Sequence, residues 1–303
     1  MNEKSLAIRR FLRSRLVWFG LAVLAAVTVA CAIGFVVASQ QVESRPAGTD
    51  GRMVGKPSPR YDVQDLGQSL AGPSAAHWFG TDQLGRDVLI RTLYGGAISL
   101  VVGLLAALVS VIVGVAWGAA AGYLGGRIDG AMMRIVDVLY GLPYILLVIL
   151  FTIIFGKSIY VLFLAIGSVS WLTMARVVRG QVLSLRTHDF VMAAVAAGAK
   201  PGRIILVHLL PNLLGPIIVY ATLIIPQAIL QESFLSFLGI GVQSPAASWG
   251  SLASDGITRM NPVVSFWWLI FFPCLALALT LLSLNLIGDG LRDAFDPQLR
   301  RNK

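Results

Sequence analysis

The sequence predicts an all-α integral membrane protein with six spanning helices, and three observations predict it. The 303 residues are 56% apolar and 13% charged, where a soluble domain carries roughly a quarter charged residues. Six apolar runs stand between polar stretches, each near the ~20 residues that cross a ~30 Å hydrocarbon layer. The Lys and Arg residues gather at the ends of those runs, as topology requires. The net charge of +9 is therefore a topology signal and not the footprint of a nucleic-acid-binding face.

The first run extends from Leu16 to about Val37. It exceeds the ~7–15-residue core of a cleaved signal peptide, so it is expected to remain as the first span. The others lie at about 97–121, 133–155, 159–177, 213–235 and 266–287. Gly156-Lys157-Ser158 predicts a tight hairpin between the third and fourth. Pro143, Pro216, Pro226 and Pro273 fall inside runs, where neighbouring helices can satisfy the freed carbonyls, and each is a candidate kink. Gly114, Gly118 and Gly122 share one helix face and admit a close neighbour, either within the chain or at a subunit interface. Cys31 and Cys274 sit in apolar stretches and read as small packing residues.

Orientation follows from the basic residues. The N-terminal tail holds Lys4, Arg9, Arg10, Arg13 and Arg15, and the loop expected after span two holds Arg127 and Arg134. The loop after span four holds Arg176, Arg179, Arg186, Lys200 and Arg203, and the C-terminal tail Arg292, Arg300, Arg301 and Lys303. The two short loops of the other side offer Lys157 and Arg259. Both termini are thus expected in the cytoplasm. The chain divides into residues 1–96 (tail, first span and external segment), a core at 97–290 with a cytoplasmic loop at 179–211, and a tail at 291–303. Within the first part, 38–70 reads as an irregular external stretch.

The cytoplasmic loop is the most informative segment. Thr187 or Asp189 can cap a helix start. Phe190 to Ala197 is rich in good or neutral helix formers, Gly198 suits a left-handed C-terminal position, and Pro201 bars continuation. A helix of about two turns, roughly 12 Å long, is expected. A second helix from about Gly202 to Leu210 would lead to Pro211 and the fifth span. The first helix is either a plain connector or, given its small side chains, an insert for a groove on a partner.

This loop resembles that of bacterial ATP-binding-cassette importer permeases, whose pattern is Glu-Ala-Ala, three residues, Gly, then an apolar run ending in Leu-Pro. Ala193-Ala194, Gly198 and Leu210-Pro211 stand at that spacing, with Met192 in place of the usual Glu and Val195 where a basic residue is common. The resemblance implies a coupling helix that docks on an ATPase, with Asp189, Met192, Ala193, Ala194, Gly198 and Pro211 as its coupling residues. Five further blocks are similar to the dipeptide/oligopeptide (and nickel) branch: FGTDQLGRDVL at 79–89, AGYLGGRID at 121–129, RGQVLSL at 179–185, SFLGIGVQSPAASWG at 236–250 and NLIGDGLRDAFDP at 285–297. VSWLTMARVVRG at 169–180 and ILQESFLSFLG at 229–239 lean toward the oligopeptide C-type permeases. The resemblance implies a five-helix importer permease core with span one packed outside it, in a bacterial inner membrane. It also implies partners: a second permease, two ATPases that bind the ATP and Mg, and an external peptide-binding protein. No cofactor is expected in this chain.

Outside the loop, Asp82, Arg86 and Asp87 lie in a Gly-punctuated external turn. Asp82 and Arg86 could pair on one helical turn, as bracing or as a gate or receptor contact. Glu232, preceded by Gln227 and Gln231, is an ionisable residue inside an apolar run, expected either to line a pore or gate or to snorkel to water. Ser168, Ser170, Ser283 and Asn285 could line a path or bond between helices.

Enzyme motifs fail on inspection. Gly156-Lys157-Ser158 resembles the end of a phosphate loop, but Phe151 occupies the required glycine position. Asp129-Gly130 and Arg134 suggest a lipid-head-group transferase motif, but Met133, Pro143, Leu147 and Phe151 break it. His77, His188 and His208 lack metal-ligand spacing, and there is no Gly-x-Ser-x-Gly. The resemblance therefore implies a pore-forming transporter subunit that moves peptides by alternating access, driven by a separate ATPase. Nickel complexes, haem or antimicrobial peptides are alternative cargoes. A secondary, ion-coupled transporter is the rival class, although internal repeats and central coupling charges are missing.

Overall fold

The structure, a computed structural model, describes residues 11–42, 58–156, 158–260 and 264–295. Lys4, Arg9, Arg10, Lys157, Arg300, Arg301, Lys303 and residues 43–57 of the external stretch lie outside the described residues. We label the helices α1 (Arg15–Ser39), α2 (Val88–Leu124), α3 (Gly126–Gly141), α4 (Tyr144–Phe155), α5 (Ile159–Leu185), α6 (Asp189–Ala196), α7 (Pro201–Phe237), α8 (Trp249–Ile257) and α9 (Trp268–Phe295). Among the described residues, α1, α2, α5, α7 and α9 are long and apolar enough to cross a membrane, and α3 with α4 is long and apolar enough only as a bent pair, a broken span or a re-entrant loop.

The predicted third span, 133–155, is corrected by its proline. Two helices meet there at 88°. Pro143 disfavours helical backbone at the residue before it, and Leu142 is accordingly extended at φ −80°, ψ 135°. Arg127 and Arg134 therefore sit on α3 and not in a loop, because Gly125 alone, at φ +67°, joins α2 to α3. Elsewhere the apolar runs understate the helices. α2 has 37 residues, roughly 55 Å at 1.5 Å per residue, so it projects well past the ~30 Å apolar layer. It starts at Val88 because the Asp87 carboxylate accepts the Ile90 N–H at 3.0 Å.

The expected separate helix at 202–210 is fused to the fifth span. Pro211 has no N–H to give the preceding turn. The backbone widens instead into a π segment at Ile204–Leu209, where the Leu210 N–H reaches the Ile205 carbonyl. α5 runs to Leu185, so the irregular part of the 179–211 loop shrinks to the two short turns that flank α6.

α2 is the axis of the bundle and packs along α5, α7 and α1. The Gly114/Gly118/Gly122 face meets α5: a Cβ at Gly114 would lie 2.6 Å from the Met174 Cβ, and one at Gly122 2.9 Å from the Arg179 carbonyl. The stripe thus serves packing within the chain. α1 lies outside, against α9 and α2, with most of its large side chains exposed. Among the described residues of the external segment, Gln41–Val42 pairs with Ser58–Pro59, and short 3-10 turns follow.

Candidate functional site

Three places gather the residues singled out by sequence. The first is α6, held out from the bundle between α5 and α7. Its start has no side-chain cap: His188 is the capping residue, and Thr187 donates its hydroxyl back to the Ser184 carbonyl at 2.9 Å. Asp189 instead occupies the first turn, where its charge favours the helix dipole. The far end closes as expected, with Gly198 at φ +78° and its N–H on the Val195 carbonyl. Open space surrounds Gly198, so the requirement for glycine is conformational and not steric. Val191 alone is buried, packed with Val182 of α5 and Ile204 and Leu209 of the π segment. Phe190, Met192 and Val195 instead present an exposed surface, Met192 by 60%. Ala193 is also exposed, and Ala194 half-buried. The charge-free Met192 leaves this face apolar at its middle. Pro211 follows the π segment directly, where its missing N–H interrupts regular α-helical bonding.

The second place is a cavity of about 300 Å³ between α3, α4, α5 and α7. Its polar wall is Tyr140, Tyr144, Ser170, Thr173, Gln227 and Gln231, and Gln227 is exposed into it. Tyr144 donates its hydroxyl to the Gln231 carbonyl at 3.3 Å, tying the bent pair to α7. Glu232 is not in this wall and does not reach water. It is fully buried on the other side of α7. Ser99 of α2 donates to one oxygen at 2.9 Å and Ser236 to the other at 2.6 Å. Ser236 in turn accepts the Val242 N–H, so the carboxyl braces the loop after α7. A buried acid with no basic partner survives only when hydroxyls satisfy its oxygens. Ser168 and Ser283 bond back to their own helices.

The third place is the external turn, at the opposite end of α2 from α6. Asp82 and Arg86 do pair, at 2.7 Å, but in a tight non-helical turn, where the Asp82 N–H bonds to the Arg86 carbonyl. Both are buried. Asp82 also accepts Arg91 at 3.1 Å, Arg86 reaches Asp62 at 3.1 Å, and Arg91 faces Asp255 at 3.8 Å. Asp87 is held by His77 at 2.8 Å while it caps α2. Partial burial raises the Asp255 carboxyl, against the pull of Arg86 and with the push of Asp82. Its side chain is 52% exposed, so water screens any effect on stability.

Sequence reasoning missed Arg91, Asp62, Asp255 and His77 as members of this clamp. Arg91 carried a signal, since it stands one turn into a helix that continues as an apolar span. Also missed was the two-pronged pairing of Arg179 on α5 with Asp129 on α3, at 2.5 and 2.7 Å.

A bundle of membrane-length helices that keeps a polar cavity between them fits the passage of a solute through the bilayer. That defines a membrane transport component. Residues 114–301 match the family described as "Binding-protein-dependent transport system inner membrane component", and the chain belongs to it. It is 51% identical over 242 residues to the oligopeptide transport system permease protein OppC of Salmonella typhimurium, covering 79% of each chain. It is 46% identical over 238 residues to the dipeptide transport system permease protein DppC of Bacillus subtilis, covering 78% of this chain and 74% of that one. In fold it is similar to a chain of the inward-facing MetNI methionine ABC transporter, with TM-score 0.56 at 18% identity, covering 68% of this chain and 97% of that one.

Proposed function

We propose that this chain is one of the two pore-forming permease subunits of an ATP-driven peptide importer, with both termini in the cytoplasm. The observation that carries the reading is α6: a short helix anchored by one buried residue, Val191, with its apolar face unused by the chain. The Lys/Arg distribution supports a cytoplasmic position for that face, where a separate ATPase would meet it. The names of the peptide permeases that share about half of the aligned residues support peptide as cargo. The partners are a second permease, two ATP-binding-cassette ATPases that hold ATP and Mg, and an external peptide-binding protein.

Force entering at Phe190, Met192, Ala193 and Ala194 passes through Val191 into α5 and the π segment of α7. ATP binding closes the ATPase pair and pulls α6; the spans rock, and the cavity opens alternately to either side. Such a shift requires contacts that differ between the two states. The π segment is the natural place to yield, because its hydrogen bonding is already irregular. Gln227 and Gln231 line the path. Glu232 braces its outer end, and Asp82, Arg86 and Asp87 form a rigid stop where the receptor sits. Gly198→Trp tests the docking role: the protein should insert normally, yet lose ATPase association and labelled-peptide uptake. Full uptake by that variant refutes docking. Uptake that survives ATP depletion but collapses with an ion gradient would favour a secondary transporter.

A further inference from the structure

The cavity is walled by ten residues, and none is an acid, a base or a histidine. Charged groups stand close by in sequence and are kept out of it. Glu232 follows Gln231 directly, but its carboxyl turns to the opposite side of α7 and is held by Ser99 and Ser236. Arg176 lies one helical turn from Thr173 and stacks on the ring of Tyr140 at 4.1 Å. There it is matched by Asp137 at 2.7 Å, so the pair presents little net field to the cavity beside it. What remains is two carboxamides and four hydroxyls; Tyr144 and Ser170 give their hydrogens to the Gln231 and Ile166 carbonyls and offer the cavity acceptor oxygens, while the Gln227 and Gln231 carboxamides and the Thr173 hydroxyl can both donate and accept. A fixed charge would attract one sign of side chain and repel the other. A neutral amide wall matches instead what every peptide shares, its main-chain N–H and C=O groups.

We propose that this cavity is a charge-indifferent peptide subsite. Gln227, Gln231, Ser170 and Thr173 engage the main chain of the passing peptide, and the exclusion of Glu232, Arg176 and Asp137 lets acidic, basic and neutral side chains pass alike. The inference rests on the peptide-importer reading, and its test is separable from that reading. The complete importer, with its ATPases and receptor, is reconstituted in vesicles, and ATP-driven uptake of labelled Ala-Ala-Ala, Ala-Lys-Ala and Ala-Glu-Ala is measured. The receptor's own preference cancels when each variant's Lys-to-Glu uptake ratio is divided by that of the parent. A unit charge in a partly hydrated cavity should move that ratio about tenfold, down in Gln227→Lys and up in Gln227→Glu. Thr173→Asp, on a different helix, should repeat the rise and decides the matter if the Gln227 variants fail to assemble. Ratios that stay at the parent value while ATP-driven uptake continues would overturn the subsite. A parent importer that moves none of the three peptides would instead overturn the importer reading, and the subsite with it.

Discussion

Asp82→Ala removes the hub of the external clamp, and its cost can be worked from the contacts. The Asp82 carboxylate accepts Arg86 at 2.7 Å and Arg91 at 3.1 Å, and also the backbone N–H groups of Leu84 and Arg86 at 2.8 and 3.0 Å. After truncation Arg86 keeps Asp62, so its charge stays compensated. Arg91 does not fare as well. It is 2% exposed, its Nε has no partner, and its remaining counter-ion, Asp255, is 3.8 Å away and half exposed. Removing one partner of a buried ion pair costs about 3–5 kcal/mol, and the surviving long contact places Asp82→Ala near the lower end. Asp82→Asn keeps the shape and one acceptor, and should cost roughly 1–2 kcal/mol. Denaturation of the detergent-solubilised protein, followed by tryptophan fluorescence, reads this directly, because Trp268 donates its indole N–H to the Thr81 carbonyl beside the hub. Asp82→Ala within about 0.5 kcal/mol of the parent would mean that Arg91 is neither buried nor dependent on Asp82, since effects that small are usual for surface positions.

Two further outcomes follow from the same kind of reasoning. Glu232→Leu leaves the Ser99 and Ser236 hydroxyls without an acceptor and should destabilise by about 2–4 kcal/mol, while Glu232→Gln keeps an acceptor and should cost under about half as much. Thermal unfolding of both proteins checks this, and equal midpoints would contradict the brace. Gly118→Leu must part α2 from α5, since even a Cβ there would meet the Ala175 backbone and the Val178 Cβ. Overpacking of at least about 1–3 kcal/mol is expected, read as a lower unfolding midpoint, and an unchanged midpoint would contradict the packing.

Much of the fold was legible because lipid imposes long apolar runs with few alternatives. The runs located the spans but not their ends. α2 begins at Val88 because of a side-chain cap at Asp87 and continues to Leu124, and neither end is encoded in hydropathy. The break at Leu142–Pro143 was visible as a proline, yet a proline inside a span can kink, break or, as at Pro216 and Pro226, leave the helix continuous. Which of these occurs depends on the neighbours. In the loop, Gly198 and Pro201 announced the end of α6 because left-handed backbone and a missing N–H are local properties. The burial of Val191 is tertiary and carried no such mark. Glu232 illustrates the limit best. Its charge was conspicuous, but the direction of its carboxyl is decided by Ser99, far away in sequence, and by Ser236 one turn on.

The importer reading stands or falls on what occupies the exposed face of α6. A photo-crosslinking residue at Ala193, in native membranes energised with ATP, should capture a nucleotide-hydrolysing subunit, and the yield should change with nucleotide state. A position 193 that never captures such a subunit, in a complex still able to take up peptide, would contradict the account.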